Sequence, residues 1–403
     1  MKRICLSVAG ILLNLFAAFA QPAPKDSAEY VSRKLTFSEA NLVASYYRQD
    51  GNNSAVTGGT GTEKLNDFSN SIDVKFTKLD KKSRKHSFDL EIGIDHYTSA
   101  SSDKINPQTI SSASYADTRF YPSLNWSVEN EKKGTTFGAG LSFSAEYDYR
   151  SIGANLSYSK KTADKSGEFT ARVQGYLDQV SLIYPVELRT NGGGGNGNDD
   201  DEHYATTPRN SFSGSLSWSQ IINQRLQIMF IADLVYQKGY LGLPFHRVYF
   251  TDNSVHIENL PGTRMKIPLG FRANYFIGDK IILRSFYRYY HDDWGLNAHT
   301  IDLETAIKIT PFFSVTPFYR FYKQTAVDYF SAYKGHKTTD QYYTSNFDLS
   351  AFTSNFYGAG FRIVPPKGVF GIQRLSMLEL RYGHYAKNYG MNADIISLNL
   401  KFK

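Results

Sequence analysis

Arg284 and Arg288 stand four residues apart, with Phe286 and Tyr290 on the same alternate positions. Alternate residues of an extended strand share a face, so both guanidinium groups would point the same way. One stretch later Asp302 and Glu304 share a face, followed by Arg320 and, near the end of the chain, Glu379 and Arg381. Arginine and carboxylate at facing positions form charge-assisted, often bidentate pairs. Two chemistries fit such a ladder. It lines a pore with an electric field and touches a charged solute, or it neutralises itself as a cross-strand ion network filling an interior.

Other constellations carry less. His291, Asp292, Asp293, Trp294 and nearby His299 have the side chains of a metal or acid–base group, but sequence places the two histidines on different strands; a polar rim is the plainer reading. Asp199, Asp200, Asp201, Glu202 and His203 follow a Gly/Asn-rich tract at 191–198. Clustered carboxylates suit Ca²⁺, yet their spacing lacks the alternation of a calcium loop, so a solvated surface loop is expected. His96 and His384 would need a serine and an acid beside them for hydrolysis, and none is well placed. No phosphate loop, dinucleotide fingerprint or zinc-hydrolase motif occurs. No enzyme activity, metal or cofactor is expected.

The segment 241–262 carries Pro244, Phe245, His246, Phe250, Leu260 and Pro261. It is too apolar for a freely solvated loop. An ordered, inward-packed constriction is expected, with the aromatic segment 329–350 (Tyr342, Tyr343) packed against it.

These residues must be positioned by strands. Ile396, Leu398, Leu400 and Phe402 alternate with Ser397, Asn399 and Lys401, and the same period recurs along the chain. Phe88, Leu90, Ile92 and Ile94 alternate with Asp89, Glu91 and Asp95; Phe137, Ala139, Leu141 and Phe143 have Thr136, Ser142 and Glu146 on the opposite set. A charge on a lipid face costs about 2–4 kcal/mol at mid-membrane, so the charged set should face a lumen. Short turns at 80–83, 130–134, 163–167, 222–224, 278–280 and 310–312 alternate with long connections near 51–64, 100–113, 184–209, 241–262 and 329–350. This is the pattern of a transmembrane antiparallel up-and-down β-barrel, all-β, with both termini periplasmic. About sixteen strands are expected, fourteen or eighteen staying open: 36–48, 66–79, 85–99, 114–129, 135–149, 150–162, 167–183, 209–222, 225–240, 263–277, 281–294, 296–309, 313–326, 350–364, 374–387 and 392–403. Trp126 and Trp218, four residues before short turns, suit an inner aromatic girdle; Tyr147, Tyr236 and Tyr289 suit the outer one.

Residues 1–20 read as a signal peptide: Lys2 and Arg3, an apolar stretch, then Ala18-Phe19-Ala20. Residues 21–35 would be a periplasmic segment and 36–403 the barrel. Cys5 is the only cysteine, so the mature chain excludes disulfides, thiolate catalysis and cysteine-bound metal. Aromatic residues make up 15%, with 29 Tyr and 28 Phe, many of which two interfacial girdles would use. The net charge of +7 lacks the basic cluster with interleaved aromatics that nucleic-acid binders show.

Five stretches carry a family resemblance: 112–134, 292–300 (DDWGLNAHT), 309–322 (ITPFFSVTPFYRFY), 341–363 and 395–403 (IISLNLKFK). Through them the chain resembles a family of outer-membrane barrels from Bacteroidota-type bacteria, known as domain of unknown function 3570, over nearly all of the mature sequence. The resemblance transfers no functional residue. It implies partners of an envelope barrel: outer-membrane lipid and lipopolysaccharide, the barrel-assembly machinery, and periplasmic redox proteins, since relatives are encoded beside thioredoxin-like and flavin-transferase proteins. Two functions follow as expectations. One is a porin-like channel for small solutes; the other is a plugged barrel serving an envelope redox or secretion system.

Overall fold

The computed structural model describes residues 34–98, 117–188 and 204–403. The expected signal peptide at 1–20, the acidic stretch at 199–203 and the connection at 100–113 lie outside them. Alternation of β-branched and aromatic residues with small polar ones produces long strands. The first half holds β1 (Thr36–Asp50), β2 (Leu65–Leu79), β3 (Lys85–Tyr97), β4 (Asp117–Asn130), β5 (Thr135–Ala145), β6 (Tyr149–Lys161), β7 (Gly167–Ser181), β8 (Thr206–Asn223) and β9 (Leu226–Gly239). The second half holds two short strands, β10 (Arg247–Tyr249) and β11 (Val255–Ile257), then β12 (Thr263–Ile277), β13 (Ile281–Asp292), β14 (Asn297–Thr310), β15 (Phe313–Gln324), β16 (Phe352–Ile363), β17 (Leu375–Lys387) and β18 (Met391–Phe402).

Sixteen strands close into one antiparallel barrel in chain order, with β10 and β11 forming a separate hairpin between β9 and β12. The seam joins β1 to β18, where Leu42 faces Leu400, Ala44 faces Leu398 and Tyr46 faces Ile396. Closure leaves no sheet edge, so every strand backbone finds its partner within the wall.

Outside, the wall is apolar. Leu141 is 65% exposed, and Leu90, Ile92, Phe137, Phe143, Leu216, Leu234, Leu303 and Leu380 are exposed with it. A continuous band of such side chains is stable against lipid and not against water. Trp218 faces outward, and so does Trp126, whose Nε1–H donates to His86 Nδ1 at 3.2 Å. Tyr147 and Tyr236 are exposed on the same surface.

The two ends differ. At the turn end, which carries Thr36 and Phe402, connections are short and locally determined. Asp80 Oδ1 accepts the backbone N–H of Lys82 and Arg84 at 2.8 and 2.9 Å, and Gly278 sits at φ 58, which a β-carbon disfavours. Four register shifts, at Phe37/Glu39, Ile221/Asn223, Lys308/Thr310 and Leu375/Met377, cluster at this end.

Three sequence expectations need correction. No strand runs unbroken to residue 149: β5 stops at Ala145, and Glu146 Nα–H bonds the Tyr149 carbonyl at 2.8 Å to close a tight turn. The segment 241–262 is not merely an ordered loop, since β10 and β11 pair within it. The polar rim expected at 291–294 is half wrong, because Asp292 is fully buried and Trp294 nearly so.

Candidate functional site

Inward positions of β13 to β17 build a charged and aromatic wall. The register sets Arg284 opposite Glu304 and Asp302 opposite Arg320. Arg284 Nη1 lies 2.5 Å from Glu304 Oε1, and Arg320 Nη2 lies 2.5 Å from Asp302 Oδ2. Arg381 arrives from β17, where its neighbour on β16 is Gly360. The guanidinium passes over β16 to Glu304 Oε2 at 2.8 Å, with its Cζ 4.2 Å from the Phe318 ring centroid. Glu304 therefore holds two arginines.

The ladder is not complete. Arg288 faces Thr300 and Gly270, is exposed, and has no ion-pair partner among the described residues. Glu379 lies opposite Arg362 in register without pairing to it. Arg284 and Arg320 point inward, yet their side chains are 47% and 49% exposed. Water therefore reaches this wall inside the barrel.

The other side is acidic. Asp73 accepts from Asn41 Nδ2 at 3.1 Å, Glu91 from Ser123 Oγ at 3.5 Å, and Asp95 from Tyr121 Oη at 3.0 Å. Lys75 pairs with Asp89 at 3.5 Å. At the loop end Asp117, Glu146 and Asp148 bring oxygens within 4.8 Å of one another. Glu146 is engaged there by Tyr97 Oη at 2.8 Å and Arg119 at 3.5 Å.

A cap sits at the loop end. Pro244 and Val248 are fully buried, His246 and Phe250 nearly so, and the Phe245 ring lies 5.2 Å from that of His246. Phe250 packs on His256 at 4.6 Å and on Tyr343 at 4.8 Å, joining the 241–262 segment to the 329–350 segment. Arg247 ties in two more loops, reaching Glu187 Oε1 at 2.5 Å and the Val56 carbonyl at 2.8 Å. Beneath them Leu260, Trp294, Leu296, Ala298 and Val327 form a small apolar core. Asp292 pins it. The carboxylate takes Arg264 and Tyr290 Oη at 2.5 and 2.6 Å and the N–H groups of Trp294 and Leu296 at 3.0 and 3.2 Å.

Two carboxyls in the cap are shifted in opposite directions. Glu63 is pushed up to about 7, first by burial and then by the charge of Asp348. Burial would also raise Glu258, but nearby His246 and hydrogen bonds from Thr344 Oγ1 and the Leu243 N–H hold it below the usual carboxylate range.

Each of four histidines singled out in the sequence has its own local hydrogen-bond partner. His291 bonds Asn297 Oδ1 at 2.9 Å and His299 bonds Tyr287 Oη at 2.8 Å. His96 bonds Thr118 Oγ1 at 2.9 Å, and His384 bonds Asp394 Oδ1 at 2.9 Å. Sequence reasoning missed Arg247, Glu258 and Arg264. Arg247 and Glu258 reach other loops, at Glu187, Val56 and Thr344, and only the apolar context of 241–262 signalled their burial; Arg264 meets Asp292 at the end of the neighbouring strand β13.

The family model described as "Protein of unknown function (DUF3570)" matches residues 82–369. No curated protein matches the chain. Among solved structures, a BenF-like porin from Pseudomonas fluorescens Pf-5 is 8% identical, with 90% of this chain and 98% of that one covered at a TM-score of 0.44. OccD3 (OpdP) of Pseudomonas aeruginosa is 8% identical, covering 93% of each chain, TM-score 0.44. A bacterial polysaccharide outer membrane secretin is 10% identical, covering 90% and 98%, TM-score 0.44. The sixteen-strand closure rests on this chain's own strand pairing.

Proposed function

The chain belongs to the DUF3570 family of proteins of unknown function, and on that footing we propose that it is a porin-like outer-membrane barrel that passes small solutes through a polar lumen behind an ordered loop cap. The observation that carries the proposal is the exposure of inward-facing arginines, 47% at Arg284 and 49% at Arg320. Charged side chains packed as filler would be dry and fully paired. These are half exposed, and Arg288 beside them has no counter-ion among the described residues. In this reading both termini are periplasmic, the cap faces outward, and the barrel-assembly machinery inserts the chain into a lipopolysaccharide-bearing membrane of a Bacteroidota-type envelope.

The cap supports a second reading, a plugged barrel that serves as the outer-membrane part of a redox or secretion system. Its own apolar core and the four loops joined through Arg247 and Phe250 give it the build of a stopper. Liposome swelling separates the two. Vesicles carrying the intact barrel swell in small sugars if the lumen conducts. If only a variant lacking 241–262 swells, the plugged reading holds.

A further inference from the structure

We propose that the lumen selects small zwitterionic solutes of the short-peptide class, the carboxylate turned to β12–β17 and the ammonium to β2–β4; this rests on the conduit reading and names its substrate. The basis is a separation of charge. In the ring of sixteen strands β3 and β13 are eight steps apart in either direction, hence diametrically opposite. Asp73, Glu91 and Asp95 have no cationic partner among the described residues; their oxygens are held by neutral donors. Across the lumen Arg272, Arg288 and Arg362 have no carboxylate partner among the described residues, and Arg284 and Arg381 share Glu304.

Between the two walls β8 is neutral over 211–219, while its neighbours carry charges of both signs, Arg172 on β7 and Asp233 on β9 among them. β8 places a hydroxyl at each inward position from Ser211 to Ser219, since Phe212, Leu216 and Trp218 take the outward ones. Lumen charges placed only for folding would interleave, because pairing lowers their energy in a confined space. Here both walls hold ion pairs and Arg119 stands opposite Asp95, but the unpaired excess is sorted, acidic on one wall and basic on the other, which leaves a transverse field. A lone ion meets one favourable wall. A molecule with opposite charges at its ends is turned across the lumen and meets both. An extended peptide gains roughly 3.3–3.6 Å per residue, so a few residues with free termini give the needed separation.

The experiment compares uptake of triglycine with that of N-acetyl-glycylglycine amide, a neutral analogue of similar size, into vesicles carrying the full mature chain. Charged clefts raise local solute concentration by tenfold or more, so triglycine should enter at least about tenfold faster. Arg288→Gln, at an exposed unpaired side chain, should cut that preference without disturbing the fold. The combined Asp73→Asn, Glu91→Gln, Asp95→Asn variant should abolish it and turn the reversal potential anion-selective. Potassium chloride conductance in the same vesicles keeps the two claims apart. Conductance with equal uptake of both solutes overturns the zwitterion inference and leaves the conduit. Absence of conductance from heat-modifiable, folded barrel overturns both.

Discussion

Arg381 on β17 reaches Glu304 on β14 at 2.8 Å although β15 and β16 stand between them. Arg284 takes the other oxygen of the same carboxylate at 2.5 Å. One glutamate thus braces three parts of the wall that the strand ladder alone leaves independent.

Glu304→Gln should therefore act twice. It removes two charge-assisted hydrogen bonds, at a cost of about 1–3 kcal/mol, and it leaves two arginines uncompensated beside water. The urea midpoint in lipid vesicles should fall, and anion preference should rise. Arg284→Ala should cost less, because Arg381 keeps its partner.

Asp292→Asn should loosen the cap rather than the barrel. Losing the charge that holds Arg264 in a buried pair costs about 3–5 kcal/mol. Limited proteolysis should cut within 325–351 far faster than in the parent, while heat-modifiable migration of the barrel persists.

The Glu63 carboxyl gives a pH dependence of definite sign. Its folded value, about 7, lies above the ordinary 4.5, so the folded state binds the proton more tightly. Stability from this group is greatest below pH 4.5, falls as pH rises towards 7, and is flat beyond. The full effect is about 2 kcal/mol after discounting for partial solvent access. Glu63→Gln should remove that slope, read as the difference between the two proteins' unfolding midpoints at pH 4.5 and 8.

Gly358→Ala tests the crowded part of the arginine wall. A β-carbon there would stand 2.0 Å from the Tyr382 carbonyl oxygen and 2.7 Å from the Phe318 ring. The backbone of β16 must shift, at about 1–3 kcal/mol, and Phe318 must leave its place under Arg381. Refolding yield and the Arg381-dependent ion preference should drop together.

The barrel was legible in the chain because its information is local. Period-two alternation at Phe88–Ile94 or Ile396–Phe402 states which face meets lipid, and turn residues such as Asp80 and Gly278 state where each strand stops. Pairs between neighbouring strands, Arg284 with Glu304 and Asp302 with Arg320, followed from the same reading because register is fixed once alternation and turns are fixed. Contacts that leave the ladder were not legible. Arg381 meets Glu304 across two strands, past Gly360 on β16, a contact that no register specifies. The buried Glu258 and the Arg247 clasp depend on loops folding back over the mouth, and no periodicity encodes that. Arg288 and Glu379 carried the same sequence signal as their paired neighbours and ended without partners.

Single-channel recording in a planar bilayer tests the central claim most directly. The mature barrel, refolded and confirmed by faster migration before heating, should give discrete conductance steps. Its reversal potential should move when Arg288 is replaced by glutamine. A folded intact barrel that stays silent would contradict the account, and conductance that appears only after removal of 241–262 would establish the plugged reading in its place.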